Sequence, residues 1–223
     1  MGLQVQQWAM EKDRQVDELA YLNRLHAEVK ELDELRNHYD ISRPEILLEA
    51  NNSYQKLKST VPTDPLTNLE CKATLWVSPS YRTVPPSEVP TITELLSAGR
   101  LDTISSESLR IEILSYTQAA NKARDLIGSL QESKSNIAQE YPDLYTLSIS
   151  NAPDFIKIND NAIGAHCDEE AMKLNHAYLN SLTYYLLSYE YYYKLGIVPV
   201  SQKLSELRNA LDKELTINHE VTK

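Results

Sequence analysis

From Leu109 to Tyr141 the apolar residues fall at Leu109, Ile113, Tyr116, Ala120, Ala123, Ile127, Leu130, Ile137 and Tyr141, with Lys134 in the one remaining place. The steps alternate four and three, which is a heptad register. A chain built around such a run is committed to helices lying on helices. A single helix over 106–141 would be about 50 Å long at 1.5 Å per residue, and Pro142 would end it.

The helical signal recurs along most of the chain. Over 3–40, Val16, Leu19, Leu22, Leu25, Val29, Leu32, Leu35 and Tyr39 form one stripe between charged residues. Ile41-Ser42-Arg43-Pro44-Glu45 reads as an interruption, with Ser42 and Glu45 spaced as a capping box for a second helix carrying Ile46, Ala50, Tyr54 and Leu57. Asp64 is placed to cap a short third helix through Leu66, Leu69, Ala73 and Trp76. Residues 78–90 form a proline-punctuated loop. Thr91-Ile92-Thr93-Glu94 is again spaced as a capping box, and its helix should stop at Gly99 with a left-handed residue. Residues 142–166, rich in Asn, Asp and Pro, read as irregular. A helix over 168–195, closed by Gly196, and another over 200–216 with Leu204, Leu207, Leu211 and Leu215 inward, complete the chain. The expected fold is therefore all-α: an antiparallel bundle of long helices with shorter peripheral helices. Its organisation is a long helix over 1–40, continuous with a helical bundle domain over 41–223.

Charge and composition narrow the function classes. The chain has 223 residues and a formal net charge of −10. No basic stripe is present to displace counterions from a phosphate backbone, so no nucleic-acid partner is expected. Mean hydropathy is −0.44, and no run approaches the length of a membrane span. The five glycines are far apart, which excludes G-x-G-x-x-G, Walker A and G-x-S-x-G loops.

Two stretches carry a resemblance. Gly2-Leu3-Gln4-Val5-Gln6-Gln7-Trp8 leads directly into a charged helix. Residues 91–116 place Glu94, Leu95, Ser97, Gly99, Leu101, Ile104, Leu109, Arg110 and Tyr116 in the order Thr, Glu-Leu, small-Gly turn, Leu, Ile, Leu-Arg and Tyr. In both stretches the chain resembles a family of uncharacterised bacterial single-pass membrane proteins, in which a span exits through a small-Leu-Gln-Val/Ile-x-x-Trp run. The resemblance implies an N-terminal span ahead of Gly2 and a domain on the periplasmic side of the inner membrane. It carries over no catalytic residues. Trp8 beside the Gln-rich exit also fits the aromatic belt of a membrane interface.

No constellation for catalysis emerges, and no enzyme activity or cofactor is expected. His26, His38, His166, His176 and His219 are preceded three residues earlier by Asn23, Leu35, Ile163, Lys173 and Thr216, so the Glu-x-x-His motif of di-metal bundles is missing. His166-Cys167-Asp168-Glu169 reads more simply as a polar helix start than as a metal site. Glu28, Glu31 and Glu34 read as a solvated face. Cys71 and Cys167 read as two buried thiols, although an extracytoplasmic setting would permit a bond between them.

The anomaly is tyrosine: there are 14 Tyr against one Phe. Tyr178, Tyr184, Tyr185, Tyr189, Tyr191, Tyr192 and Tyr193 crowd one helix. Tyr178, Leu182, Tyr185, Tyr189 and Tyr192 make one stripe, while Tyr184, Tyr191 and Tyr193 point elsewhere. Tyrosine offers area with a polar handle. Three readings stand: a central bundle helix, a face that meets a protein partner or a second copy of the chain, or a small-molecule pocket walled by Tyr178, Tyr185 and Tyr189. The function expected is a non-catalytic extracytoplasmic interaction or sensory domain, with a small-molecule-binding bundle as the alternative.

Overall fold

A computed structural model describes residues 2–131, 134–149 and 163–221. The described residues are helical nearly throughout, with one two-stranded sheet among them. The described residues of 1–40, 85–124 and 196–223 make one compact unit; those of 41–84 and 125–195 make another.

Helix α1 (Gly2–Lys58) contributes to both units. It runs on through Pro44, against the expected break at 41–45. Proline removes a single donor and displaces the carbonyl four residues back, which a long helix held by packing absorbs. Ser42 forms no cap; its hydroxyl is buried within the helix. In the first unit α1 is joined by α3 (Pro90–Ser97), α4 (Glu107–Gln131) and α8 (Val198–Val221), the last two contributing their residues to 124 and from 198. The core is Leu22, Leu25, Val29 and Leu32 of α1, Ile92 and Leu95 of α3, Leu109 to Ala123 along the α4 heptad, and Val200 to Leu215 of α8. His26 meets Asp212 and Asp33 meets Arg208, so α8 runs antiparallel to α1. Ser106 donates to Glu214 while Lys203 faces Glu112, so α8 is antiparallel to α4 as well. Helices α1 and α4 consequently run in the same sense, and residues 85–106 make the return.

The return is fastened by acids on α1. Glu28 accepts both the amide and the hydroxyl of Thr91, at 2.9 and 2.8 Å. Glu18 accepts the amide and hydroxyl of Ser105. The expected Thr91–Glu94 box does not form, because the carboxylate at the start of α3 is Glu28, from another helix, and Glu94 is turned toward Tyr21 and Arg24. Glu28 is therefore a docking group, while Glu31 and Glu34 do face solvent. Helix α3 ends as expected. Gly99 has φ +64°, its amide reaches the Leu96 carbonyl, and the Arg100 amide reaches the Leu95 carbonyl at 2.8 Å. This is a Schellman closure, and its left-handed residue favours glycine.

The inward stripe of α1 differs from the apolar reading at two places. Val16 and Leu35 are exposed, and Arg36 takes the inward position after Leu32. Arg36 donates to the Pro86 carbonyl at 2.8 Å and to Ser201 Oγ at 3.0 Å, and Ser201 donates onward to Asp40.

In the second unit the later part of α1 is joined by α2 (Asn68–Trp76), α5 (Ile137–Glu140), α6 (Glu169–Leu174) and α7 (His176–Tyr191). Helix α2 is opened by Thr67, not Asp64: Thr67 accepts from the Glu70 amide while the Glu70 carboxylate accepts from the Thr67 amide. Its buried residues are Glu70 to Leu75, with Leu69 exposed. The long helix expected to reach residue 141 ends at Gln131. Lys134 has φ +43°, and Asn136 opens the short α5 by accepting from the Ala138 amide. Ile137 is fully buried and its amide reaches Ser78 Oγ, so the heptad position is kept by a new helix.

Part of the segment read as irregular is a hairpin. Strand β1 (Tyr145–Ile149) pairs antiparallel with β2 (Ile163–Cys167), Tyr145 opposite Cys167 and Ile149 opposite Ile163. The alternation in Tyr-Thr-Leu-Ser-Ile is a strand signal that the neighbouring Asn and Pro residues obscure. Cys167 at the end of β2 is disulfide-bonded to Cys71 of α2, with Cα atoms 5.9 Å apart. The reading of two buried thiols is corrected: the hairpin brings together two residues 96 apart in sequence.

Candidate interaction surface on α7

Helix α7 begins where Asn175 accepts a hydrogen bond from the Tyr178 amide at 3.0 Å. Gly196 does not close it. The backbone widens into a π turn over Tyr192–Ile197 and continues as α8. Pro199 supplies no amide to the carbonyl of Leu195.

The stripe Tyr178, Leu182, Tyr185, Tyr189 and Tyr192 is buried, as its spacing predicts. Its rings stack on neighbours in the same unit. Tyr141 and Tyr145 lie edge-on to Tyr178, with centroids at 5.5 and 6.2 Å, and Tyr189 meets Tyr192 at 5.3 Å. Four hydroxyls there find partners inside: Tyr178 with Tyr145 at 2.9 Å, Tyr145 with Thr74 at 2.9 Å, Tyr185 with Glu140, and Tyr192 with the Thr83 carbonyl. Burial pushes the phenols of Tyr178 and Tyr185 up to about 12, and it also raises those of Tyr145 and Tyr189 well above the ordinary phenol value. Tyr178, Tyr185 and Tyr189 are thus interior packing, and the clefts described below are not lined by them.

Arg82, from the proline-rich loop, lies among these rings at 1% exposure. It donates to Ser188 Oγ at 2.7 Å and to the Val77 carbonyl at 3.0 Å. Burial lowers its pKa, while Tyr189, Tyr192, Tyr184 and Tyr185 act in the opposite direction. Sequence reasoning missed this residue, because an isolated arginine in an irregular loop has no periodicity to betray it.

The opposite face of α7 is open. Tyr184 is 66% exposed, Leu187 54%, Tyr191 60% and Leu195 51%. Tyr193, grouped with Tyr184 and Tyr191 in the sequence, is only half-exposed. Ala177 and Asn180 are also exposed, so 177, 180, 184, 187 and 191 repeat at three and four. The outer stripe has the same heptad period as the inner one. Leu187 belongs to it, and the exposed Leu195 lies just beyond its end in the π turn; neither leucine has a signal in the sequence that sets it apart as the tyrosines are set apart. Glu190 and Lys194 are paired along its flank at 2.5 Å.

Smaller features elsewhere have structural roles. Clefts of about 490 and 340 Å³ flank Cys167; their walls include Thr67, His166, Asp168 and Glu169. Glu169 there accepts from the Leu66 amide and from Lys173. Burial alone would raise its pKa, but those two partners hold it below the ordinary carboxylate value. With Cys167 in a disulfide, no thiolate remains for the His166–Cys167–Asp168–Glu169 metal set, and no group of three or more His, Cys, Asp or Glu able to hold a metal is found among the described residues. In the first unit, Arg24 and Arg100 lie 5.3 and 5.5 Å from the Tyr21 ring centre beside a cleft of about 280 Å³. Arg24 is paired with Glu94, and Arg100 lies 4.0 Å from Asp17.

No family model, curated protein or solved structure matches this chain. No helix among the described residues is long and apolar enough to cross a membrane.

Proposed function

We propose that this chain is a non-catalytic helical interaction or sensory domain, carried on the periplasmic side of the bacterial inner membrane by a span preceding Gly2. The observation that carries the interaction reading is the exposed Tyr184–Leu187–Tyr191–Leu195 stripe. Large apolar groups exposed singly are ordinary, but a continuous row of them along one helix marks a surface that another molecule covers. Tyrosine is enriched at such contacts. Its inner counterpart is filled by the chain itself, which removes the motive for a tyrosine-walled ligand pocket. The setting is supported by the Cys71–Cys167 bond, since disulfides persist in oxidising compartments, together with the Gly2–Trp8 run.

Two measurements test this reading. A photo-cross-linking residue placed at Tyr184 or Tyr191 of the full-length protein in its native cells should trap a protein, while one at the exposed Lys213 should not. Loss of every adduct from both helix positions would remove the interaction role. Fractionation should recover the protein with the cell envelope and with both cysteines blocked to alkylation. Recovery in the soluble cytoplasmic fraction with free thiols would overturn the setting.

A further inference from the structure

The outer stripe of α7 says more than that something covers it. Its members sit at 177, 180, 184, 187 and 191, a period of 3.5 residues. A straight helix drifts away from that period, and a partner helix winding around it keeps pace. The complement of such a seam is another helix of the same period. A flat partner or an extended peptide has no use for it.

Charge selects which helix. The chain carries −10 overall, yet over 177–195 its charged residues are one acid and one base, Glu190 and Lys194, and these are paired. A basic partner would call for an acidic face and an acidic partner for a basic one. An isologous contact calls for a patch complementary to itself, neutral or carrying both signs. This face meets that condition.

We propose that the chain self-associates through α7, two copies laying their outer heptads together antiparallel about a two-fold axis near Tyr189. In this register Leu187 of one copy lies against Tyr191 of the other, and Tyr184 lies beside Lys194 of the other. The aromatic face of Tyr184 then receives an ammonium group, and Lys194 remains within reach of Glu190 of its own chain. Parallel pairing would instead set Lys194 against Lys194, a like-charge contact at the seam. The inference rests on the interaction reading and names its partner.

Sedimentation velocity of the whole chain across a concentration series should show a monomer–dimer equilibrium. Leu187→Glu and Tyr191→Glu should each weaken it roughly 30-fold or more, the effect of removing a central interface residue. Both side chains are exposed, so the variants keep their fold, which circular dichroism verifies. Orientation is read from bis-maleimide cross-linking of Leu187→Cys mixed with Tyr191→Cys. The mixed pair should cross-link at least several-fold faster than Tyr191→Cys with itself. A chain that stays monomeric at every concentration, or a dimer indifferent to both substitutions, overturns self-association. Faster cross-linking of like with like overturns the antiparallel register. Adducts formed in cells only with other proteins also overturn the second copy, yet leave the interaction reading standing. Absence of all adducts removes both.

Discussion

Two arginines and a set of tyrosines occupy positions where apolar residues would be the default. Arg82 is buried with Ser188 Oγ and the Val77 carbonyl as acceptors, and the cost of desolvating a guanidinium makes each acceptor count. Ser188→Ala should therefore destabilise the chain by about 1–3 kcal/mol in urea denaturation, as expected when a buried donor loses its partner. A change near zero would show that water reaches Arg82. The tyrosines bear on pH. The phenols of Tyr116 and Tyr178 are raised from 10.0 to about 12, chiefly by burial. A raised folded value means that the folded chain holds these protons more tightly than the unfolded chain. Their contribution is complete below pH 10 and is lost as pH climbs from about 10 to about 12. The urea midpoint should stay level up to about pH 9.5 and then fall, with part of the tyrosinate absorbance appearing only on unfolding. Full tyrosinate absorbance at pH 10.5 in a chain that still resists urea would contradict this.

At the scale of elements, the residue spacing foretold which faces turn inward more reliably than where helices stop. Leu109 to Ile127, Leu204 to Leu215 and the inner tyrosine stripe all lie where their period puts them, because apolar burial dominates side-chain placement. The outer face of α7 was legible through Tyr184 and Tyr191 for the same reason. Helix ends were misread where tertiary contacts compete with local signals. Pro44 did not stop α1, since a long packed helix tolerates one missing hydrogen bond, and at Gly196, which keeps its amide, the backbone runs on through a π turn. The Gln131 end was hidden because Ile137 returns to the heptad position in a separate helix. Arg82 and the pairing of Cys71 with Cys167 depend on long-range contacts that no local pattern encodes. Gly99 is the stop that local chemistry does decide. With φ +64° and no heavy atom within 4 Å of an added Cβ, Gly99→Ala meets no clash and pays only the left-handed conformation, about 1–2 kcal/mol. Gly99→Val should lose more and Gly99→Asn less. Equal stability of all three would mean the Schellman turn does not persist. On the buried seam, Ile127→Ala leaves a cavity and should lose roughly 2–5 kcal/mol; a loss below about 0.5 kcal/mol in chemical denaturation would place that seam in solvent.

For the whole molecule, the disulfide has the longest reach. Cys71 and Cys167 belong to the same unit, yet the chain between them passes through the other, since residues 85–124 lie in the loop that the bond closes. Closing a loop of this length removes much of the freedom of the unfolded chain and stabilises the fold by about 4–5 kcal/mol in the chain-entropy account. The bond also ties the end of β2 to α2, where Cys71 is buried between Glu70 and Lys72. Reduction therefore acts on both states: the unfolded ensemble gains freedom, and the hairpin loses its covalent anchor. In dithiothreitol the urea midpoint should drop by an amount equivalent to about 4 kcal/mol, and the denaturant slope should rise because the reduced unfolded chain exposes more surface. Cys71→Ser with Cys167→Ser should reproduce the effect without reductant. Helix content should survive at low urea, because the first unit takes its core from α1, α3, α4 and α8, none of which the bond touches. A midpoint unchanged by dithiothreitol, with free thiols confirmed by alkylation, would show that the hairpin is held by its hydrogen bonds and packing alone. In that event the bond would report on the compartment in which the chain matures and contribute nothing to its stability.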